Sequence, residues 1–438
     1  MRPPSKARAG LAALAFLFGA VAGVRAQAGA VRHVHDPAIL RAGGHCYVFS
    51  TGKGVPVRRS KDLRRWESAG RVFAEDVPAW AAKEVPGSRD IWAPDISRFG
   101  GRYHLYYSVS TFGRQRSCIG LATNVTLDPA DPKYRWLDRG MVLDSRPGRD
   151  DFNAIDPQLV LDEAGQPWLT WGSFWTGIKL VRLDAAGERP AAGAKVIALA
   201  CRPRHKAVEA PFLIRRDGWW YLFVSFDQCC RGVDSTYKTM VGRSRKLTGP
   251  YVDYTGRPML EGAATLLLAG HDQSKGPGHN SVLRTEHTDY LVHHMYDAAA
   301  RGTPTLQIRP LIWAKDGWPL AGEPLGDGQR ASRTLRAADL AGEWRHSVNY
   351  GEESVITLRA GGRVNDPKAP VTWALEGGVL RLRWPRPDPP GGVWVDECLV
   401  APDGLTYLGR NQAGYVIRGV RDPKPKTRGD GPAGGASP

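Results

Sequence analysis

The chain has 438 residues, with 60 Lys or Arg against 44 Asp or Glu and a formal net charge of +16 at pH 7. This length predicts two domains and supplies enough apolar residues for a large core. The basic residues form no block of the nucleic-acid type, and the six cysteines are too few and too dispersed for a disulfide scaffold or a zinc site.

The N-terminus has the pattern of a secretory signal peptide. Arg2, Lys6 and Arg8 precede an apolar run from Leu11 to Val24, which small residues follow at Ala26 and Ala28. The run is shorter than the roughly 20 apolar residues that a membrane span needs. We therefore expect residues 1–28 to be removed and the mature protein to be secreted, into the medium or the periplasm, without a membrane partner.

Residues 29–325 contain one pattern five times, at intervals of roughly 50 to 70 residues, a period typical of propellers and solenoids. Each copy opens with a short polar motif, continues as an alternating strand and resumes after a Gly or Asp-Gly turn with an aromatic-rich strand. The copies open at His35-Asp36-Pro37, Ala93-Pro94-Asp95, Ile155-Asp156-Pro157, Glu209-Ala210-Pro211 and Gly278-His279-Asn280. Radial packing of five such sheets predicts an all-β, five-bladed β-propeller whose opening motifs converge at one mouth of the central channel.

A second domain is predicted over residues 338–421. Short alternating strands joined by Gly turns, such as Val355-Ile356-Thr357-Leu358 and Val379-Leu380-Arg381-Leu382, indicate a small antiparallel, lipocalin-like β-barrel. Residues 422–438 are rich in Pro, Gly and Lys, so we expect a disordered tail.

Carboxylates at the repeat openings are candidates for glycosidic bond hydrolysis, which needs one carboxylic acid and one carboxylate. Asp36, Asp95, Asp156 and Glu209 occupy such positions, although an isolated Asp-Pro is more often a strand-entry device. The apolar neighbours of Glu209 would raise its pKa and suit it to donate a proton, while the polar setting of Asp36 suits a base. Asp156 is then available to orient the acid and raise its pKa.

Aromatic rings could form a sugar-binding surface, because they stack against the apolar faces of sugar rings. The candidates are Trp92, Phe112 with Gly113, and Phe174 with Trp175. Each could instead belong to the core between blades. His279 opens the fifth repeat, where other repeats place carboxylates, so it should face the channel as a structural residue or a metal ligand.

Taken together, these motifs closely resemble the arabinan endo-1,5-α-L-arabinosidases of glycoside hydrolase family 43. The resemblance covers nearly all of the predicted propeller. It is carried by His35-Asp36-Pro37, Asp90-Ile91-Trp92-Ala93-Pro94-Asp95, Asn153-Ala154-Ile155-Asp156-Pro157-Gln158-Leu159, Trp171-Gly172-Ser173-Phe174-Trp175-Thr176-Gly177-Ile178, Val208-Glu209-Ala210-Pro211-Phe212 and Gly276-Pro277-Gly278-His279-Asn280-Ser281-Val282. Within the family, Phe226-Asp227-Gln228-Cys229-Cys230-Arg231-Gly232-Val233-Asp234-Ser235-Thr236-Tyr237 looks like the segment of secreted arabinanases rather than that of xylosidases.

The resemblance implies an inverting hydrolase of internal bonds in arabinan, the partner of the enzyme, with Asp36 as general base, Glu209 as general acid and Asp156 as pKa modulator. It also implies calcium in the channel beside His279, with waters completing the shell. We expect a monomer whose substrate contacts are Trp92, Phe112, Gly113, Asn153, Ala154, Ile155, Ser173, Phe174 and Trp175.

Three questions stay open from the sequence. An exo-acting arabinofuranosidase or β-xylosidase would keep the same carboxylates but close one end of the cleft. A non-catalytic sugar-binding propeller would be expected to lack one of them. The adjacent Cys229 and Cys230 could pair with each other, pair elsewhere or remain free.

Overall fold

The computed structural model describes residues 27–326, 334–368, 370–386 and 392–422. Most of the predicted signal peptide and of the predicted tail therefore lies outside the described residues. No helix in the described ranges is long and apolar enough to cross a membrane. Gln27 and Ala28, at the end of the predicted leader, are built into the first blade, where the Gln27 side chain donates to Leu63 O at 2.9 Å.

The first part of the chain forms five antiparallel sheets in chain order, which confirms the predicted five-bladed propeller. In each sheet, neighbouring strands are consecutive in the chain, except that β1 pairs in parallel with β5 at the edge of the first blade. The first blade comprises β1 (Ala28–Gly29), β2 (Ala38–Ala42), β3 (His45–Phe49), β4 (Pro56–Ser60) and β5 (Arg65–Arg71), and helix α1 (Ala79–Glu84) follows it. The second comprises β6 (Trp92–Phe99), β7 (Arg102–Val109), β8 (Ser117–Asn124) and β9 (Leu137–Ser145).

The other three blades have four strands each. The third comprises β10 (Gln158–Leu161), β11 (Pro167–Trp171), β12 (Ile178–Arg182) and β13 (Ile197–Ala200). The fourth comprises β14 (Val208–Arg216), β15 (Trp219–Phe226), β16 (Lys238–Ser244) and β17 (Thr265–Leu268). The fifth comprises β18 (Ser274–Arg284), β19 (Asp289–Asp297), β20 (Thr303–Trp313) and β21 (Pro319–Ala321). Short 3₁₀ turns lie at Gly232–Asp234, Met259–Glu261 and Ala298–Ala300.

Each pair of neighbouring blades encloses its own apolar core. Phe49 of the first blade and Tyr107 of the second belong to one such core, and Trp171 of the third belongs to the next. The ring closes because Val31 and Val34, which lie between β1 and β2 of the first blade, pack with Ile308 of the fifth. A sheet cannot cover both its faces alone, so the alternating apolar residues of each blade require this radial packing.

The C-terminal part forms a closed barrel of eight strands, as predicted. It follows the short helix α2 (Ala337–Leu340) and comprises β22 (Gly342–Val348), β23 (Ser354–Arg359), β24 (Arg363–Val364), β25 (Thr372–Glu376), β26 (Val379–Pro385), β27 (Val393–Val400), β28 (Thr406–Asn411) and β29 (Val416–Val420).

Polar contacts and a shared apolar core join the barrel to the propeller. Tyr350 packs in the core between the fourth and fifth blades and donates its hydroxyl to Leu267 O at 3.2 Å. Arg410 donates to Pro319 O at 3.0 Å, and Arg418 pairs with Glu323 at 2.9 Å. Because Arg410 and Arg418 are themselves buried, these bonds hold the barrel in a defined position on the propeller.

Candidate active site

Each of the five opening motifs contains a residue in the left-handed conformation. These residues have positive φ: Asp36 (51°), Ala93 (42°), Asp156 (60°), Ala210 (58°) and His279 (49°). A non-glycine residue adopts this conformation at a cost and persists in it only when its surroundings hold it there. The strand register shifts beside Ala93, Ala210 and His279, so the bulged backbone re-aims the side chains at the channel mouth.

The backbone N–H of each left-handed residue donates to a side chain of the preceding blade, and the five bonds close a ring. The bonds are Asp36 N to His294 Nδ1 (3.1 Å), Ala93 N to Thr51 Oγ1 (2.8 Å), Asp156 N to Ser108 Oγ (3.0 Å), Ala210 N to Asp156 Oδ2 (3.1 Å) and His279 N to Ser225 Oγ (2.8 Å). In the fourth blade the acceptor is itself one of the candidate catalytic carboxylates. Asp156 therefore fixes the peptide that follows Glu209.

A cavity of about 860 Å³ lies over this ring. Its lining brings together all but two of the residues proposed from the sequence, namely Asp36, Trp92, Phe112, Gly113, Asn153, Ile155, Asp156, Ser173, Phe174, Trp175, Glu209 and His279. Phe112 is 79% exposed, so its ring stands at the rim and is free to meet a ligand. The convergence of five distant segments follows from the propeller geometry.

Ala154, expected from the sequence to contact substrate, does not line the cavity. It is fully buried and packs in the core between the second and third blades, with its N–H donated to Ser145 Oγ at 3.0 Å. Its neighbours Asn153 and Ile155 both reach the cavity. The Ile155 N–H donates to Asn153 O at 3.1 Å, so the chain makes a tight turn at Ala154 whose side chain points into the core.

Asp95 is also not part of the site, although its motif resembles the others. The positive φ at Ala93 shows that Ala93, and not Asp95, is the counterpart of Asp36. Asp95 lies two residues further into the inner strand, where its Oδ2 accepts from Leu159 N and Ser97 Oγ. The bond from Leu159 N makes Asp95 a buried link between the second and third blades. Burial raises the pKa of Asp95 to about 7.

Asp36 is surrounded by imidazoles. Its Oδ1 lies 2.8 Å from His35 Nδ1 and 3.1 Å from His279 Nδ1, and its Oδ2 accepts from the Thr51 hydroxyl at 2.5 Å. Burial disfavours its charge, but the two imidazoles outweigh burial and hold the pKa of Asp36 well below its usual range. Asp36 is therefore an ionised carboxylate at neutral pH.

Glu209 has the opposite balance. Burial raises the pKa of Glu209 above its usual value, although Tyr237 donates to Oε1 and Ser173 donates to Oε2, both at 2.7 Å. Burial also raises the pKa of Asp156, and the charge of Glu209 adds to that effect. Within one cavity, then, the pKa of Asp36 is lowered and the pKa of Glu209 is raised. Two carboxyls whose pKa values are shifted apart in this way are the usual sign of an acid and base pair.

Several residues of the site were not singled out from the sequence. Tyr237 and Thr51 bond directly to the candidate acid and base, and His294 holds the Asp36 peptide. Cys229 and Cys230 line the cavity, and all six cysteines of the chain are free. Tyr237 stood in the segment similar to secreted arabinanases, which was the one signal for it. Nothing in the local pattern around Thr51 or His294 pointed to a role.

Comparisons with known proteins agree with this geometry. The profile of glycosyl hydrolases family 43 matches residues 31–319. A Cellvibrio japonicus protein named extracellular exo-α-(1→5)-L-arabinofuranosidase is 44% identical over 66% of this chain and 86% of its own length. A Bacillus subtilis protein named extracellular endo-α-(1→5)-L-arabinanase 1 is 42% identical over 65% of this chain and 87% of its own length.

Solved structures that are similar to this chain include arabinanases as well. The crystal structure of an exo-1,5-α-L-arabinanase from a bovine ruminal metagenomic library has a TM-score of 0.64 and 45% identity, covering 68% of this chain and 100% of that one. An endo-1,5-α-L-arabinanase from Thermotoga petrophila RKU-1 reaches a TM-score of 0.76 over 90% of this chain and 99% of that one, but with 23% identity it shows a shared fold alone. Because the family profile spans the five blades and every residue of the carboxylate site, this chain belongs to glycosyl hydrolases family 43.

Proposed function

We propose that the protein is an inverting glycoside hydrolase that cleaves internal α-1,5-L-arabinofuranosidic bonds of arabinan. The observation that carries this proposal is the pair formed by Asp36, whose pKa two imidazoles lower, and Glu209, whose pKa burial raises, in one cavity. Such a pair supplies both groups that direct hydrolysis of a glycosidic bond requires.

The roles of the residues follow from the opposite pKa shifts of Asp36 and Glu209. Glu209 donates its proton to the leaving glycosidic oxygen as the bond to the anomeric carbon breaks. Asp36 accepts a proton from the water that attacks the anomeric carbon from the opposite face, so the anomeric configuration inverts. Asp156 orients Glu209 through its bond to Ala210 N, and its charge would raise the pKa of the acid.

The substrate class rests on the relatives and on the cavity lining. Two relatives above 40% identity have names that specify α-(1→5)-linked arabinose polymers. Trp92, Phe112, Phe174 and Trp175 supply aromatic surface for stacking on furanose rings, while Asn153 and Ser173 supply hydrogen-bonding groups. This mixture of rings and a few polar groups is typical of sites for neutral ligands.

Action on internal bonds is supported by the size of the cavity. Its volume of about 860 Å³ is near the upper end of the range for small-ligand sites, so it has room for sugar units on both sides of the cleaved bond. Exo action is the second candidate, since the Cellvibrio japonicus relative and the ruminal structure are both named as exo-acting. Product sizes from linear arabinan decide between the two.

Calcium beside His279 fits the structure only as an ion held mostly by water. His279 Nδ1 faces Asp36 Oδ1, which leaves Nε2 as the available imidazole ligand. The adjacent Asn280 is buried, and neither atom of its amide group has a hydrogen-bond partner among the described residues. Calcium prefers six to eight oxygen ligands. We propose that such an ion, when bound, supplies positive charge to the channel and stabilises the ring of blades.

Location and assembly complete the proposal. Two relatives are named extracellular, and residues 1–28 have a signal-peptide pattern, so the enzyme is proposed to act outside the cytoplasm. The enzyme is also proposed to be a monomer. Gel filtration with light scattering of the purified chain measures its oligomeric state.

The variant Glu209→Gln tests the proposed chemistry together with product analysis. Loss of the proton donor should lower arabinan hydrolysis by about 10² to 10⁴ while the protein stays folded. A mixture of early oligosaccharide products from linear arabinan is expected of the wild type. Near-normal turnover by folded Glu209→Gln would contradict the role of Glu209, and release of a single product size from the chain end would establish exo action.

A further inference from the structure

The C-terminal barrel contains a cavity of its own. It has a volume of about 480 Å³ and shares no lining residue with the catalytic cavity. An eight-stranded barrel is just wide enough either to be filled by side chains or to hold one small ligand. Much of this interior is filled, because a core that includes Trp344 and Tyr407 occupies it. The remaining space shares Ile356 and Ile417 with that core. Its full lining is His346, Val348, Ser354, Val355, Ile356, Asn365, Trp384, Trp394, Asp396, Asn411, Tyr415 and Ile417.

Three polar side chains in this lining are more than nine-tenths buried, at 3% exposure for Asp396, 6% for His346 and 7% for Asn411. Asp396 accepts from Trp384 Nε1 at 2.7 Å through Oδ2 alone, which leaves Oδ1 without a partner among the described residues. His346 contacts the Tyr407 hydroxyl through Nδ1, and Asn411 uses Oδ1 for the N–H groups of Ala413 and Tyr415.

The second ring nitrogen of His346 and the amide NH₂ of Asn411 thus have no partner in the described part of the chain. All three residues line the cavity, so a bound ligand can supply the missing hydrogen bonds. Burial also raises the pKa of Asp396 to about 6. Each of these side chains bonds to a neighbour through one atom and still has a further polar atom available for a ligand.

Aromatic rings complete the cavity. Trp394 stacks with Tyr415, with ring centroids 6.4 Å apart and an interplanar angle of 29°. The guanidinium of Arg386 lies 3.8 Å from the centroid of Trp394 and holds that ring in place. Tyr415 is 47% exposed, so part of this aromatic surface is open to solvent.

The chemistry of the lining selects the ligand. A lipid or another apolar ligand would leave Asp396 and Asn411 unpaired, which is costly, and an anion would be repelled by Asp396. A neutral polyhydroxylated ring satisfies both features, since its hydroxyls bond to the carboxylate and the amide while its apolar face stacks on an aromatic ring.

We propose that the barrel cavity is a second carbohydrate-binding site, which holds a sugar unit of the α-1,5-arabinan chain on which the propeller acts. This inference rests on the proposed function for the identity of the sugar. Because the barrel is fixed to the propeller through Arg410 and Arg418, a polymer that is bound at the barrel raises the effective concentration of its other units at the catalytic cavity. The site should therefore favour long chains over short ones.

Calorimetric titration of the full chain carrying Glu209→Gln with a linear α-1,5-arabino-oligosaccharide tests the proposal. We expect two sites per chain, of which one is lost when Trp394→Ala is added. Asp396→Asn should weaken that site by about tenfold or more, because a hydrogen bond to a charged group is lost. Glu343→Gln, an exposed change on the barrel outside the cavity, is the control and should keep both sites.

Kinetics and stability separate a binding role from a structural one. In the catalytically active chain, Trp394→Ala should raise KM for linear arabinan several-fold and leave kcat and the cleavage of arabinotriose unchanged. Asp396→Asn should unfold at the wild-type temperature or above, since a buried carboxyl is replaced by a neutral amide.

Two results would overturn the barrel site: a single site per chain that Trp394→Ala does not affect, or two sites that survive both barrel substitutions. Failure of the proposed function is a separate outcome, in which the wild type hydrolyses no arabinan. In that case one site that Trp394→Ala abolishes would still support the barrel site.

Discussion

Replacement of Tyr237 by Phe probes the proton-donor role of Glu209. Burial raises the pKa of Glu209, and the hydrogen bonds from Tyr237 and Ser173 oppose that rise because they favour the charged carboxylate. The proposed chemistry needs the protonated acid. Loss of the Tyr237 hydroxyl should therefore raise the pKa of Glu209 further and extend activity to higher pH.

The size of the effect follows from the strength of one bond. A hydrogen bond to an ionised group is worth about 1.5–3 kcal/mol, and a bond between neutral groups is worth about 0.5–1.5 kcal/mol. Tyr237 can donate to the carboxyl in both states, so its removal costs the charged form about 1–1.5 kcal/mol more than the neutral form. At 1.36 kcal/mol per pKa unit, the expected rise is about one unit.

The assay is the pH profile of kcat/KM on a linear α-1,5-arabino-oligosaccharide. In Tyr237→Phe the alkaline limb should move upward by about one pH unit, with near wild-type activity below it. Tyr221→Phe is the matched control, since that hydroxyl, on β15 of the same blade, donates to Gly317 O far from the cavity lining. An alkaline limb that stays in place or moves downward in folded Tyr237→Phe would refute the assignment of Glu209 as the acid.

Three further substitutions test other parts of the structure. Asp36→Asn should abolish hydrolysis whatever the leaving group, and early NMR spectra of wild-type products should show the β-anomer, whereas an α-anomer would mean double displacement. Prolonged chelation or His279→Ala should lower activity and thermal stability together if an ion binds there, and elemental analysis that finds a fully active, metal-free wild type would exclude the ion. Arg418→Gln should destabilise the chain by about 1 kcal/mol in chemical denaturation, because it leaves the partly exposed Glu323 without its charged partner, and an unchanged midpoint would contradict that role of the interface.

The candidate site was largely accessible from the sequence because the fold repeats. Once five openings were aligned, Asp36, Asp156 and His279 had to converge, since equivalent positions of propeller blades surround one axis. Glu209 joins them because it directly precedes Ala210, the equivalent residue of the fourth blade. The same alignment misplaced Asp95, because Pro94 made its motif resemble that of Asp36. Only backbone conformation shows that the left-handed residue of the second blade is Ala93.

The sequence by itself determined the all-β class, the five blades, the second domain and the identity of the candidate carboxylates, since periodicity and local motifs carry that information. Tertiary structure alone decided which groups set the charge of each carboxylate. Thr51 meets Asp36, and Tyr237 meets Glu209, when the strands of the first and fourth blades pair. His279 of the fifth blade meets Asp36 of the first only after the ring of blades has closed. The barrel cavity likewise exists only in three dimensions, because Asp396, Asn411 and Trp394 point inward together only when eight strands close on themselves.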